Sequence, residues 1–448
     1  MSTARARRIL ESPILPTLLW LAAPGVMLVL TQSAVSIGDA YIVGRLGTEA
    51  LAGLALVFPL VMLLQMTSAG AMGGGVSSAV ARALGSGNDQ RARRLVVHAM
   101  VIALAMGLAF TVLLLALGRQ IYALLGGGGQ VIANALAYSD VLFAGAALVW
   151  IANTFASILR GSGNTLVPAL ALIGAACIHL PLAFGLVLGL GPLPQLGIAG
   201  AGVAYVVAAG CASVVTGTYL WTSPLRPSRA ELQLDAQLFR EILRVGVVSS
   251  INAVQTVLTA VIVTGLVGRF GAAALAGYGV GIRLELMQIP LVFSIGQALV
   301  VMVGTHVGAG EWQRAKRIAW TGAGLAATVS AVIGLGAAFF PAAWITLFSA
   351  DPQVLDAGSQ YLRIVGPLYP VFGVNIALYF ASQGYGRVAW PVLAGTLRLA
   401  IVVLGGFASM ALGAPLWTLY AVLAVGIAAM GSLTAWAVNR SDWSLARG

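Results

Sequence analysis

Apolar stretches long enough to cross a lipid bilayer recur along the whole chain. Sixty per cent of the 448 residues are apolar and 8% are charged, whereas soluble domains carry roughly a quarter charged residues. A hydrocarbon layer of roughly 30 Å requires about 20 apolar residues per helix. The pattern therefore predicts an all-α membrane protein with twelve transmembrane helices. We expect them near residues 14–40, 51–75, 95–117, 134–157, 167–190, 196–221, 240–266, 273–302, 317–340, 358–381, 388–412 and 416–438.

The distribution of basic residues predicts the orientation of these helices. The net charge is +11, but the cations form no dense patch with interleaved aromatics, so no nucleic-acid partner is predicted. Of the 24 Lys and Arg residues, eighteen fall in loops on one side, four on the other and two within apolar segments. By the positive-inside rule, both termini face the cytoplasm. We expect a multi-pass protein of the inner (plasma) membrane.

An internal repeat divides the chain into two halves. The segment Val43–Gly53 recurs at Val267–Gly277, and the loop Gly85–Arg94 recurs at Gly308–Arg317, with shifts of 224 and 223 residues. A polar stretch between the halves predicts an N-lobe at 1–222, a cytoplasmic linker at 223–239 and a C-lobe at 240–448. Because each half holds six helices, we expect two lobes related by a pseudo-twofold axis along the membrane normal. The cleft between them is the expected substrate path.

Asp39 is the main candidate for chemistry in the N-lobe, because a charged side chain within a membrane span is costly and marks a functional site by default. Gln32 and Ser36 share its helix face at i, i+4 and i+7 spacing, which we expect to point toward the lobe interior. Pro24 removes a backbone hydrogen bond from the same helix and predicts a bend. The alternative is a helix-end aspartate that faces headgroups or pairs with Arg45. His179, midway along the fifth span, is either a proton site or a packing residue.

The C-lobe carries a different set of polar residues. Ser249, Asn252, Gln255 and Thr259 form a polar stripe on the seventh span, but the position equivalent to Asp39 is Ile262 or Val263. The charged candidates lie in the eighth and eleventh spans: Arg283, Glu285 and Arg398. Because residues two apart on a helix do not face each other, Glu285 should pair with Arg398 across helices. Either this buried group contributes a second coupling carboxylate or it only fixes helix register.

Enzyme chemistry is not predicted. No metal cluster, nucleophile triad or dinucleotide fingerprint occurs in the sequence, so we expect neither a cofactor nor a bound metal. Cys177 and Cys211 lie within apolar segments and predict no disulfide. The run Gly73-Gly74-Gly75 lacks the GK[ST] of a phosphate-binding loop and predicts a helix-packing or hinge element.

These motifs together resemble the multidrug and toxic compound extrusion (MATE) family. The resemblance rests on the stretch from Pro24 through Asp39 to Gly47 with Ala50-Leu51-Ala52, and on the loops at Gly85–Gly87 and Gly308–Gly310. It extends to Leu159–Thr165 and Gly197–Ala201, and covers essentially the whole chain. The resemblance implies a twelve-helix, two-lobed antiporter that expels organic, often cationic compounds in exchange for protons or sodium. In one branch of the family, a first-helix aspartate and a proline at this spacing form the N-lobe cation site and its bend.

The sequence also departs from both ion-binding patterns of the family. That branch adds an asparagine and an aspartate in the fifth helix, where this chain has Cys177 and Pro181. The other bacterial branch places acids in helices seven and ten, where the nearest polar residues here are Gln255 and Asn375. Asp39 alone, or Asp39 supplemented by Glu285, would then bind the coupling ion. The remaining residues expected to line the cavity are Gln32, Ser36, His179, Asn252, Gln255, Asn375 and Tyr379.

The predicted function is secondary active efflux of small organic, often cationic, compounds by alternating access. A proton is the simpler coupling ion, because one carboxylate with few neutral oxygens offers little of the coordination that sodium prefers. The alternative is a lipid-linked glycan flippase, which shares the two-lobed architecture. We expect a monomer in the lipid bilayer, because a cleft between lobes requires one chain.

Overall fold

All regular elements in the described part of the structure are helices. The structure is a computed structural model and describes residues 2–441 and 443. Eleven helices in this part are long and apolar enough to cross a membrane, and a pair of shorter helices, bent by 51° at its break, brings the number to as many as twelve. The predicted all-helical fold is therefore confirmed, with eleven to twelve apolar spans. The chain divides into two compact units, which we call unit 1 and unit 2.

Unit 1 comprises Ala23–Gly246 with the N-terminal residues up to Arg8. A short helix that the hydropathy pattern did not predict, α1, begins the chain. The helices that lie wholly or partly in unit 1 are α1 (Ser2–Glu11), α2 (Ile14–Gly44), α3 (Thr48–Gln65), α4 (Gly73–Gly85), α5 (Asp89–Leu124), α6 (Gly129–Ala144), α7 (Ala146–Gly161), α8 (Leu166–Leu188), α9 (Ile198–Trp221) and the first part of α10 (Ala236–Gly268). A π-helical segment, Met66–Met72, continues α3 into α4 as one span.

Unit 2 comprises Ile9–Ala22 and the residues from Val247 onward. Besides the first half of α2, the helices that lie wholly or partly in unit 2 are α10 (Ala236–Gly268), α11 (Ala272–Gly308), α12 (Trp312–Phe339), α13 (Pro341–Ile345), α14 (Pro352–Val365), α15 (Tyr369–Tyr385), α16 (Ala389–Ala411) and α17 (Leu416–Arg440). A 3-10 turn, Gly366–Leu368, joins α14 and α15 into one span.

The compact units differ from the sequence halves at the first and seventh spans. Leu18 and Leu21 on the first half of α2 are buried in the core of unit 2, with Val303 and Ile318. The first part of α10 is instead buried in unit 1 through Ile242. The two helices change unit after Ala22 and after Gly246, positions related by the repeat shift of 224 residues. The first and seventh spans, which are equivalent in the repeat, are therefore each divided between the two units at equivalent positions.

Turn geometry explains why the repeated loops keep their glycines. Only glycine adopts positive φ without steric strain from a Cβ atom. Three pairs of glycines at repeat-equivalent positions have nearly equal positive φ values. They are Gly47 (109°) with Gly271 (102°), Gly87 (73°) with Gly310 (79°), and Gly163 (78°) with Gly386 (88°).

The run Gly73-Gly74-Gly75 packs α4 against its neighbours, as the sequence predicts. A Cβ atom on Gly73 would lie 2.5 Å from the Ser157 hydroxyl, and one on Gly75 would lie 2.8 Å from the Ile242 carbonyl oxygen. Both distances are shorter than van der Waals contact, so side chains here would push the helices apart. The run is buried throughout.

Ion pairs attach the linker to unit 1. Glu231 belongs to a short 3-10 turn, its side chain is 4% exposed, and its carboxylate lies 2.6 Å from Arg93 Nε. The Ser228 hydroxyl and backbone N–H, followed by Arg93, lower the pKa of Glu231 to about 2. Arg94 pairs with Asp235 at 3.3 Å. The linker predicted at 223–239 is shorter in the structure, because α10 begins at Ala236.

Candidate functional site

Asp39 and His179 form a buried pair inside unit 1. His179 Nε2 on α8 lies 2.7 Å from Asp39 Oδ1 on α2, and the two side chains are 3% and 13% exposed. Gly38 allows this approach, since a Cβ atom there would lie 2.5 Å from Leu180 Cδ2 on α8. The alternative partner, Arg45, donates instead to the Tyr41 hydroxyl at 2.7 Å. His179 is therefore not a lone residue, because its ring contacts the acid directly, and its role as a proton site stays a prediction.

The hydrogen bonds of this pair assign one tautomer of the histidine. His179 Nδ1 is buried with no hydrogen-bond partner among the described residues. The neutral ring therefore carries its proton on Nε2, which donates to the Asp39 carboxylate. In this state the pair has one negative charge. Uptake of one more proton makes it neutral, either as an imidazolium–carboxylate ion pair or as two uncharged groups.

An amide and hydroxyl network, which the sequence interpretation missed, lies next to the pair. The Tyr205 ring meets the His179 ring edge-on with centroids 6.0 Å apart. Gln65 Nε2 donates to the Tyr205 hydroxyl at 2.5 Å, and Asn153 Nδ2 donates to Gln65 Oε1 at 3.0 Å and to Ser68 Oγ at 2.8 Å. The available signal was Gln65, a lone amide within an otherwise apolar span.

Gln32 and Ser36 do not share the interior position of Asp39. Both side chains are exposed, so the expectation that they point into the lobe is wrong. The packed face of α2 runs through Val35, Gly38 and Ile42, which leaves Asp39 at its edge and the other two outside it. Their role in lining a substrate path stays a prediction.

Pro24 lies inside α2, which continues as one helix from Ile14 to Gly44. It stands two residues after Ala22, where α2 passes from unit 2 to unit 1. Proline removes one backbone hydrogen bond at this point. A bend at Pro24 stays a prediction.

Glu285 is the buried acid of unit 2. The Tyr361 hydroxyl donates to its Oε2 at 2.7 Å, and Arg398 Nη2 lies 4.0 Å from its Oε1. The structure thus has the cross-helix pair that the helix spacing predicts. Arg283 was wrongly included in this group, because its side chain is exposed and its guanidinium lies over the Phe348 ring, 5.3 Å from the centroid. Residues two apart on α11 point to nearly opposite sides of the helix.

The neutral polar residues predicted for the C-lobe cavity make interhelical contacts. Gln255 Nε2 donates to the Thr396 hydroxyl at 2.7 Å, and the Thr434 hydroxyl donates to Asn375 Oδ1 at 2.7 Å. The Tyr379 hydroxyl donates to the Ser249 carbonyl oxygen on α10 at 3.5 Å, and it accepts a hydrogen bond from Gln383 on its own helix at 3.0 Å.

Asn252 lies close to α16, since a Cβ atom on Gly395 would be 3.1 Å from its Oδ1. These contacts indicate that the polar stripe on the seventh span joins helices by hydrogen bonds. In the described part of the chain, no three His, Cys, Asp or Glu side chains are close enough to hold a metal ion.

Fold and site together define a multi-pass helical membrane protein made of two repeats, each of which holds a buried acid beside a nitrogen group. The chain belongs to the MATE family: the MatE family model matches residues 24–184 and 249–408. The two matches fall one in each half, in agreement with the internal repeat.

Similar proteins support this assignment along nearly the whole chain. A protein named FAD transporter from Shewanella oneidensis is 26% identical, with 88% of each chain covered. The probable multidrug resistance protein YoeA of Bacillus subtilis is 28% identical, covering 78% of this chain and 77% of its own. A crystal structure described as MATE in the bent conformation superposes with a TM-score of 0.89 at 20% identity, covering 97% of both chains.

Proposed function

We propose that this protein is a proton-coupled efflux antiporter for small organic cations, with the Asp39–His179 pair as its coupling site. The observation that carries the proposal is the buried 2.7 Å contact between the carboxylate and the imidazole. A carboxylate and an imidazole in contact form a unit that can bind and release a proton. Family membership supports transport as the activity, and a relative named as a multidrug resistance protein supports the class of cargo.

The charge of the pair explains how proton and cargo exclude each other. With neutral His179, the pair is anionic and attracts an organic cation across a low-dielectric region. When a proton enters, the pair becomes neutral and the attraction is lost. One proton bound on the outer side thus releases one cation there, and loss of the proton on the inner side restores the site. Alternating access of a single chain in the inner membrane, with both termini in the cytoplasm, completes the cycle.

A proton fits this site better than sodium. Small hard cations prefer several oxygen ligands, whereas the closest partner of Asp39 is an N–H donor that occupies one lone pair of the carboxylate. The two phenols beside the pair, Tyr138 and Tyr205, are weak ligands for a cation. His179 can itself bind a proton. A sodium ion cannot take the place of that proton in a hydrogen bond.

Reconstituted liposomes test the proposal. Efflux of a cationic dye is measured under an imposed pH gradient and, separately, under a sodium gradient, with wild type, Asp39→Asn and His179→Gln. We expect proton-driven efflux in the wild type, none in Asp39→Asn, and an altered pH dependence in His179→Gln, which keeps an N–H donor but cannot take up a proton. Asp356→Asn, at an exposed carboxylate that accepts a hydrogen bond from Gln360, is the matched control and should transport normally.

Other outcomes contradict specific parts of the proposal. Full proton-driven efflux by Asp39→Asn refutes the assigned site, and efflux driven only by sodium refutes the proton. If the wild type moves no dye under either gradient, antiport of organic cations is refuted. Two further cargoes distinguish the other transport functions: a lipid-linked glycan analogue tests the flippase, and FAD tests the cargo in the name of the Shewanella oneidensis relative.

A further inference from the structure

Unit 2 contains a second buried acid surrounded by tyrosines. Glu285 is 8% exposed, and the Tyr361 hydroxyl donates to its Oε2 at 2.7 Å. The Tyr361 ring packs edge-on against Tyr278 and Tyr420, with centroids 5.3 and 5.4 Å apart, and Tyr369 is fully buried nearby. These residues come from four different helices, α11, α14, α15 and α17. The acid therefore lies inside the helical packing and away from the lipid-facing surface.

Several polar atoms in this region lack partners. Both amide atoms of Gln288, one helical turn after Glu285, are buried with no hydrogen bond among the described residues. The Tyr420 hydroxyl and Arg398 Nε are unpaired in the same way. Native structures rarely leave buried polar groups unsatisfied, and those that remain point to bound water, a ligand or a changing protonation state. These unpaired polar atoms indicate that this region does more than pack helices together.

The repeat relates this region to the Asp39 site. Tyr361 and Gln288 stand 223 residues after Tyr138 and Gln65. In unit 1, Tyr138 lies within electrostatic range of Asp39, and Gln65 is bonded to Tyr205 next to the pair. Each unit therefore has a tyrosine and a glutamine at equivalent positions beside its acid. The acids themselves are not equivalent, because Asp39 comes from the first span and Glu285 from the eighth.

The nitrogen partners of the two acids differ in a way that predicts different chemistry. His179 can gain or lose a proton, whereas Arg398 is always charged. Arg398 stays 4.0 Å from Glu285 Oε1, too far for a hydrogen bond, and its guanidinium also lies over the Phe372 ring, 5.6 Å from the centroid. No described residue donates a hydrogen bond to Oε1, so this oxygen is available to a proton. A small shift of α16 away from α11 would remove the counter-charge of the carboxylate.

We propose that Glu285 is a second proton-binding site of the transport cycle, in which Arg398 and a proton alternate as the counter-charge of its carboxylate. The inference rests on the proposed function of the Asp39–His179 pair. In the conformation described, the ionised carboxylate is balanced by Arg398. When α16 moves, one proton from the outer side binds Oε1, and when the pair re-forms, the proton is released on the inner side. Protonation adds one positive charge to each unit, so both sites then disfavour a bound cation.

Among the described residues, two types of titratable or charged group face Glu285 from the neighbouring helices. They are the phenols of Tyr278, Tyr361 and Tyr369, with Tyr420 packed against Tyr361, and the guanidinium of Arg398. Tyrosine hydroxyls stay protonated across the physiological range. The carboxylate of Glu285 is therefore the group in this region that we propose as the proton acceptor.

Proton stoichiometry tests the proposal in liposomes. Internal pH and dye are recorded together to obtain protons moved per cation for wild type, Glu285→Gln and the double variant Glu285→Gln with Arg398→Gln. We expect Glu285→Gln to halve the number of protons per cation while Asp39 keeps driving transport. A purely structural ion pair predicts unchanged stoichiometry, with loss of thermal stability in Glu285→Gln that the double variant recovers. Unchanged stoichiometry in a folded single or double variant overturns the proposal.

A second measurement does not depend on transport. Infrared difference spectra of the purified protein between about pH 5 and pH 8 report protonated carboxyl groups. We expect a carboxyl band that disappears in Glu285→Gln and persists in Asp39→Asn. If the wild type fails to couple protons to efflux but this band is present, the proposed function is wrong and Glu285 still titrates. Absence of any band that depends on Glu285 overturns the second site even if Asp39 couples transport.

Discussion

Replacement of His179 by leucine tests the contact on which the proposed coupling site depends. The Asp39 side chain is 13% exposed, and His179 Nε2 at 2.7 Å is its hydrogen-bond donor. His179→Leu introduces an apolar side chain of similar bulk, which leaves the Asp39 carboxylate without its N–H donor. Breaking a buried pair by removing one partner destabilises a protein by about 3 kcal/mol or more. At roughly 1.4 kcal/mol per factor of ten, the unfolding equilibrium constant should rise about a hundredfold.

The double variant distinguishes the effect of losing the Asp39–His179 contact from the effect of packing a leucine at position 179. Asp39→Asn with His179→Leu removes the uncompensated charge, so we expect it to recover most of the lost stability, as a double-mutant cycle for a coupled pair requires. Unfolding is followed by circular dichroism in mixed detergent micelles near pH 7.5. If His179→Leu is as stable as wild type, or if the double variant loses the sum of both single effects, the two side chains are not energetically coupled.

Two further predictions concern helix approach and the linker. Gly38→Val should destabilise the fold by about 1–3 kcal/mol, because its Cβ would lie 2.5 Å from Leu180, whereas Gly44→Val, with no atom within 4 Å of the added Cβ, should leave the melting temperature nearly unchanged; equal effects would contradict the close packing of α2 on α8. Glu231→Gln should lower the melting temperature near neutral pH. The pKa of Glu231 is depressed from 4.5 to about 2 by Ser228 and Arg93, so its ionised form stabilises the fold above pH 4.5 and loses this contribution as pH falls toward 2. The difference from wild type should therefore shrink below pH 4.5, and Glu49→Gln, an exposed control, should show no such trend; a difference that stays constant with pH would refute the linkage.

The number of spans, the repeat and the family follow from local and periodic features of the chain. Twenty-residue apolar stretches commit the backbone to helices, because lipid offers no hydrogen bonds to an open chain. The glycine loops recur at equivalent positions of the two halves, because their positive φ values require glycine in both. The cross-helix partnership of Glu285 and Arg398 was also predictable, since helical geometry excluded Arg283 as its partner.

Contacts between distant parts of the chain required the tertiary structure. The sequence identifies Asp39 and His179 as separate candidates 140 residues apart, and only the packing of α2 on α8 at Gly38 joins them into one hydrogen-bonded pair. The same packing decides that Ser36 is exposed while Asp39 is not, because hydropathy periodicity defines a helix face only to within a fraction of a turn. The sequence thus determined which charges lie in the apolar spans, and the packing of the helices determined which partner each of them contacts.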